Sequence, residues 1–147
     1  MNMKIYEGYG SSPLKWAAVN GELAMVKMLF RHPEIDLEHI NHENTSEGMT
    51  ALGYAAKRGN NAIVKAFLDA HADVNISSDL KHNPLKTAVY FGQLDTVKLL
   101  RGISGVDFRT PGHRVPLRCR KLQHGAHEKI ARLLLDKGAD PNTREWG

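Results

Sequence analysis

An all-α solenoid of helix-turn-helix units is the fold this sequence predicts, on three observations. One phrase recurs: Ser12-Pro13-Leu14-Lys15-Trp16-Ala17-Ala18, Thr50-Ala51-Leu52-Gly53-Tyr54-Ala55-Ala56 and Asn83-Pro84-Leu85-Lys86-Thr87-Ala88-Val89, with a decayed fourth copy near Cys119. A glycine follows the Pro/Ala position by eight residues in the first three copies, at Gly21, Gly59 and Gly92. An apolar helical stretch follows each glycine, and the units close on Asp36, Asp73, Asp107 and Asp140. A fixed period of this length marks an array whose units bury their apolar faces against one another.

Each element of the unit has a physical reason. Pro or a small residue opens the first helix, because proline tolerates the first turn, where its missing N–H would be unpaired anyway. Leu14, Leu52 and Leu85 then face the next unit. The small pairs Ala17-Ala18, Ala55-Ala56 and Ala88-Val89 let neighbouring helices approach closely, and the glycines end each first helix without a left-handed penalty. The second helix carries the apolar stripe: Met25, Val26, Leu29 and Phe30, then Ile63, Val64, Phe67 and Leu68, then Val97, Leu99 and Leu100, then Ile130, Leu133, Leu134 and Leu135. In the fourth unit, twelve residues back from Gly138-Ala139-Asp140 places Ala126 at the glycine position. The ungapped register then puts Arg118 at the proline place, Cys119 at the leucine place, and Leu122 and Gln123 where small residues belong.

The openings and the tails Ala72-Asp73-Val74-Asn75 and Gly138-Ala139-Asp140-Pro141-Asn142 resemble the ankyrin repeat over nearly the whole chain. The resemblance implies a solenoid with short hairpin-like fingers between helix pairs, in one domain over 1–147. The repeats fall at about 7–40, 45–75, 78–108 and 112–142, and 143–147 begin a further finger. The openings at 13, 51, 84 and 118 are spaced by 38, 33 and 34 residues, against a family period of about 33. The first connection is therefore overlong, and the polar run from His39 to Gly48 is expected to form an extended surface loop. Neither end shows a polar capping helix, so the chain is expected to continue as part of a longer array or to be covered there by a partner.

Composition agrees with a single domain. The 147 residues are 41% hydrophobic and 24% charged, ordinary for a soluble protein. Met1 to Tyr6 has no apolar run, and no stretch approaches the ~20 residues needed to cross a bilayer, so neither a signal peptide nor membrane insertion is expected. Cys119 is the only cysteine, which excludes an intrachain disulfide and fits a reducing compartment. The expected location is cytoplasmic, or the host cytosol or nucleus for a secreted effector or viral protein.

Catalytic chemistry finds no footing. Gly8-Tyr9-Gly10 has Pro13 where a dinucleotide fingerprint wants its third glycine, and the chain has no Walker-type Gly-Lys-Ser/Thr and no nucleophile elbow. His39 and His42, and the set His113, Cys119, His124 and His127, match no zinc spacing. No enzyme activity, cofactor or metal is expected.

Surface remains. In ankyrin repeats partners usually bind the concave face, formed by finger tips and by the residues between the small pair and the glycine. Carried over by position, the inner-helix residues are Val19 and Asn20, Lys57 and Arg58, Tyr90 and Phe91, and His124. Tyr9, Met49, Leu80 and His82 are the finger candidates, and Arg114 joins them from the fourth unit. Tyr90 and Phe91 stand out as adjacent aromatics at solvent-facing positions, because aromatics and arginines dominate interface energetics. Trp16 and Tyr54 occupy a place where large side chains commonly support the finger from below.

Charge is uneven. Arg109, Arg114, Arg118, Arg120, Lys121, Lys129 and Arg132 face only Glu128 across one stretch, leaving it at +6 within a chain of net +4. Such a field favours an acidic protein partner or a polyanion. Nucleic acid is disfavoured, because no recognised module is present and no aromatics interleave with the basic run. The function implied is a non-catalytic protein-binding adaptor or targeting module. The alternatives are the ankyrin part of a larger enzyme and polyanion binding through the fourth repeat.

Overall fold

A computed structural model describes residues 12–42, 49–76, 83–106 and 124–136. It is helical: α1 (Pro13–Asn20), α2 (Leu23–Phe30), α3 (Leu37–Asn41), α4 (Ala51–Arg58), α5 (Asn61–Asp69), α6 (Pro84–Tyr90), α7 (Leu94–Arg101) and α8 (His124–Leu135). The helices pair as α1/α2, α4/α5 and α6/α7, and the pairs stack in two rows. First helices run α1, α4, α6, while second helices run α2, α5, α7, α8. The fold is an all-α ankyrin-type solenoid.

Each first helix starts the same way. The Ser12 hydroxyl accepts from Lys15 N–H at 3.2 Å, Thr50 from Gly53 N–H at 3.1 Å and Asn83 from Lys86 N–H at 2.8 Å. Each bond satisfies one of the amides that a helix start leaves orphaned. Each helix is also followed by a left-handed glycine, Gly21 and Gly59 directly and Gly92 after Phe91, at φ of 80°, 72° and 71°.

The core follows the expected stripes. Leu14, Leu52 and Leu85 are buried together with Ala17, Ala18, Ala55, Ala56 and Ala88. Val26, Ile63, Val64, Phe67, Val97, Leu100 and Ile130 fill the space between the two rows. Phe30 meets Phe67 edge-on, with centroids 5.1 Å apart, the offset geometry aromatic pairs prefer. Between second helices, the buried Thr96 hydroxyl donates to Asn61 Oδ1 at 2.6 Å.

In the second and third units the residue after the turn reaches back to the preceding unit, and His127 within α8 does the same. Asn60 Nδ2 approaches the Ala18 carbonyl at 3.5 Å, Gln93 Nε2 donates to the Lys57 carbonyl at 3.1 Å, and His127 Nε2 lies 3.3 Å from the Tyr90 carbonyl. These carbonyls end first helices, where no intrahelical donor remains. A carbonyl only accepts, so Nε2 of His127 is the donor in this contact. A second set of ties joins the unit tails: Asp73 N–H donates to Asn41 Oδ1 at 2.8 Å, and Asn75 Nδ2 donates to the Gly105 carbonyl at 2.7 Å.

Two expectations need correction. The overlong first connection is not a loop from His39 onward, because its first part folds into the turn α3 and buries Ile40; residues 43–48 lie outside the described residues. The turn expected at Ala126 is also missing, since α8 runs from His124 through it without a break. A residue with a Cβ meets a penalty in the left-handed conformation that Gly21, Gly59 and Gly92 adopt, so Ala126 continues the helix instead. Against α7, α8 takes the place of a second helix. The register of Arg118, Cys119, Leu122 and Gln123 lies outside the described residues.

His71 was not singled out in the sequence. It ends the second unit at φ 59°, two residues before Asp73, the place that Gly105 takes before Asp107 with φ 87°. The left-handed region costs an L-residue roughly 1–2 kcal/mol, partly offset by the greater chain entropy of glycine.

Two substitutions test these backbone positions by urea denaturation. Gly59→Ala is expected to destabilise by about 2–3 kcal/mol, because the left-handed cost adds to the lost Gln93 bond. A Cβ there falls 2.8 Å from Gln93 Cδ, which must move off the Lys57 carbonyl. His71→Gly is expected to stabilise by about 0.5–1 kcal/mol, and a loss of stability would mean that the His71 side chain makes a contact of its own.

Candidate functional site

The row of first helices is unusual in its charge. None of α1, α4 and α6 contains an aspartate or glutamate, whereas they carry Lys15, Lys57, Arg58 and Lys86. Acidic side chains appear instead on the second helices, as Asp69, Asp95 and Glu128. The ion pairs among the described residues, His39–Asp36, Lys98–Asp95 and Arg132–Glu128, all lie off the first-helix row.

Aromatic rings hold two of these lysines. Lys15 Nζ stands 4.6 Å from the centroid of Tyr54, in the next unit. Lys57 Nζ stands 5.8 Å from the same ring and 5.1 Å from Phe91, one unit further. Phe91 in turn meets Tyr90 edge-on at 4.9 Å. The negative face of a ring attracts an ammonium over about this range, and the lysine stems cover apolar surface while the heads stay at its edge. Lys15, Tyr54, Lys57, Phe91 and Tyr90 thus form a continuous cation–aromatic ladder that crosses two unit boundaries.

The expected site residues divide accordingly. Lys57, Tyr90 and Phe91 come together and are half-buried, and Val19 is half-buried at the corresponding place in the first unit. Arg58 and Asn20 are exposed, and Asn20 turns its amide back to the Trp16 carbonyl at 2.9 Å. Two expectations fail. Met49, expected on a finger tip, is only 9% exposed beside the start of α4, so it belongs to the packing. His124, expected at the end of an inner helix, opens α8 in the other row. Tyr9, Leu80, His82 and Arg114 lie outside the described residues.

Tyr54 is the residue that sequence reasoning undervalued. It is 5% exposed where the equivalent Trp16 is 47% exposed, because Lys15 of the preceding unit lies over it. Its pairing with Lys57 was legible as an i,i+3 neighbour on one helix face, whereas its pairing with Lys15 needed the stacking of units.

Among the described residues no group of three His, Cys, Asp or Glu side chains comes together to hold a metal. No helix among them is long and apolar enough to cross a membrane. The profile of ankyrin repeats, in three copies, matches residues 36–111, more than half of the chain. The chain belongs to the ankyrin-repeat family. It is 34% identical over 122 residues to ankyrin repeat and SAM domain-containing protein 6 of Mus musculus, covering 79% of this chain and 13% of that protein. The Rattus norvegicus counterpart matches at 34% over 124 residues. Human transient receptor potential cation channel subfamily A member 1 is 30% identical over 107 residues, covering 70% of this chain and 9% of the channel subunit. The chain thus spans a small fraction of each of these relatives.

Beside the ladder, α3 depends on one carboxylate. Asp36 Oδ1 accepts from His39 N–H at 3.0 Å and lies 2.7 Å from His39 Nδ1. The His39 backbone amide, then its ring, hold the Asp36 carboxyl below its ordinary range. A carboxyl with a depressed folded pKa stabilises the fold above its unfolded pKa, and that stability is lost as pH falls through the folded value. The α3 turn should therefore persist at neutral pH and unravel below the ordinary aspartate range. Carbon chemical shifts of residues 37–41 followed by NMR from pH 6 to pH 2 would show it. Asp36→Asn, a capping residue without a charge, should remove the titration and keep the turn; an unchanged transition in that variant would assign it to another group.

Proposed function

We propose that this domain is a non-catalytic protein-binding module, an adaptor or targeting element, which takes its partner on the concave face lined by α1, α4 and α6. Ankyrin repeats generally serve as protein–protein interaction modules, and the present family membership brings that expectation to this chain. The observation that carries the reading further is the Tyr90–Phe91 pair, half-buried and joined through Lys57 to Tyr54. Rigid aromatics lose little entropy on binding and bury a large area when a partner covers them. Cytoplasmic action is part of the same reading, supported by the single cysteine. Any catalysis in a longer protein would lie in another domain.

Changing Tyr90 and Phe91 together to Ala is expected to weaken capture of protein partners by about 2 kcal/mol or more, with the thermal melt close to that of the parent. Affinity capture with quantitative mass spectrometry, run beside circular dichroism melting, makes the measurement. A large drop in melting temperature would instead assign both rings to packing, and unchanged capture would move the interface off this face.

A further inference from the structure

Resting on that reading, we propose that the concave face recognises an acidic polypeptide segment, whose carboxylates are taken by the ladder lysines Lys15 and Lys57. Three features of the row point to an anionic occupant. It carries four basic side chains and no carboxylate over three helices. Among the described residues no ion pair engages Lys15, Lys57 or Arg58. Two ammonium groups are drawn to one ring, at 4.6 and 5.8 Å from the Tyr54 centroid, so like charges are concentrated where an anion would relieve them.

The rings also prepare these lysines for binding. A free lysine side chain gives up considerable rotamer freedom when an ion pair fixes it. Here stacking on Tyr54 and Phe91 has already limited that freedom, so less is lost when a carboxylate arrives. The two lysines come from successive units, and both approach the one Tyr54 ring. An extended segment lying along the row can therefore present acidic side chains to both units in turn. Tyr90 and Phe91 supply an apolar end to the track, which suits a polypeptide with a hydrophobic residue beside its acidic ones. A nucleic acid would instead call for several aromatics open to stacking bases, and Tyr54 is closed beneath Lys15.

The test uses a fluorescein-labelled peptide of alternating glutamate and serine, twelve residues long and ending in leucine, measured by fluorescence anisotropy. Matched peptides with glutamine or lysine in place of glutamate, and a twelve-nucleotide oligothymidine, serve as comparisons. The glutamate peptide should bind and the other two peptides should not. Lys57→Gln and Lys15→Gln should each weaken binding roughly fivefold or more, while Lys57→Arg retains it and Lys65→Gln, on the exposed side of α5, leaves it unchanged. Melting curves establish that the variants fold. Equal binding of the glutamine peptide, or equal loss with Lys65→Gln, would overturn the proposal. Oligothymidine binding with the same response to Lys15→Gln and Lys57→Gln would overturn it in favour of a general polyanion surface. If the peptide fails to bind while partner capture still depends on Tyr90 and Phe91, the acidic-segment inference falls and the concave-face reading stands.

Discussion

Close approach of the first helices is the constraint on which everything else depends. Ala17, Ala18, Ala55, Ala56 and Ala88 are all fully buried between α1, α4 and α6. Larger side chains there would push the helices apart, and tightly packed interiors absorb added volume poorly. The backbone ties from Asn60, Gln93 and His127 work only at this separation, since each side chain must span from one unit to a carbonyl of the preceding one. The ladder has the same requirement, because Lys15 and Lys57 reach rings that belong to neighbouring units.

Much of this was legible in the sequence because it repeats. The N-caps, the turn glycines and the apolar stripes are local patterns, and three copies of each reinforce one another. Contacts between units were harder to see. Nothing in the order of residues says that Lys15 covers Tyr54, or that Trp16 at the equivalent position stays open. Met49 has a finger's place in the sequence, and its burial shows only in the folded chain. The fourth unit departs for a different reason: Ala126 marks a position, but without glycine the position loses the conformation that made it a turn.

The short α3 illustrates how an insertion can be absorbed. Rather than leaving the extra residues of the first connection without partners, the chain caps a turn with Asp36, buries Ile40 and offers Asn41 to the Asp73 amide. The inserted length becomes a tie between the tails of two units.

The ladder has a bearing on how such an array can change over generations. Its chemistry belongs to the seams: Lys15 is matched with Tyr54 and Lys57 with Phe91, each across a boundary. By register, deleting the second unit would bring Lys15 to Thr87, and copying it would bring Lys57 to Arg58, so the ladder would break while the helices remained. Recombination that preserves the ladder must therefore carry neighbouring units together as one heritable block.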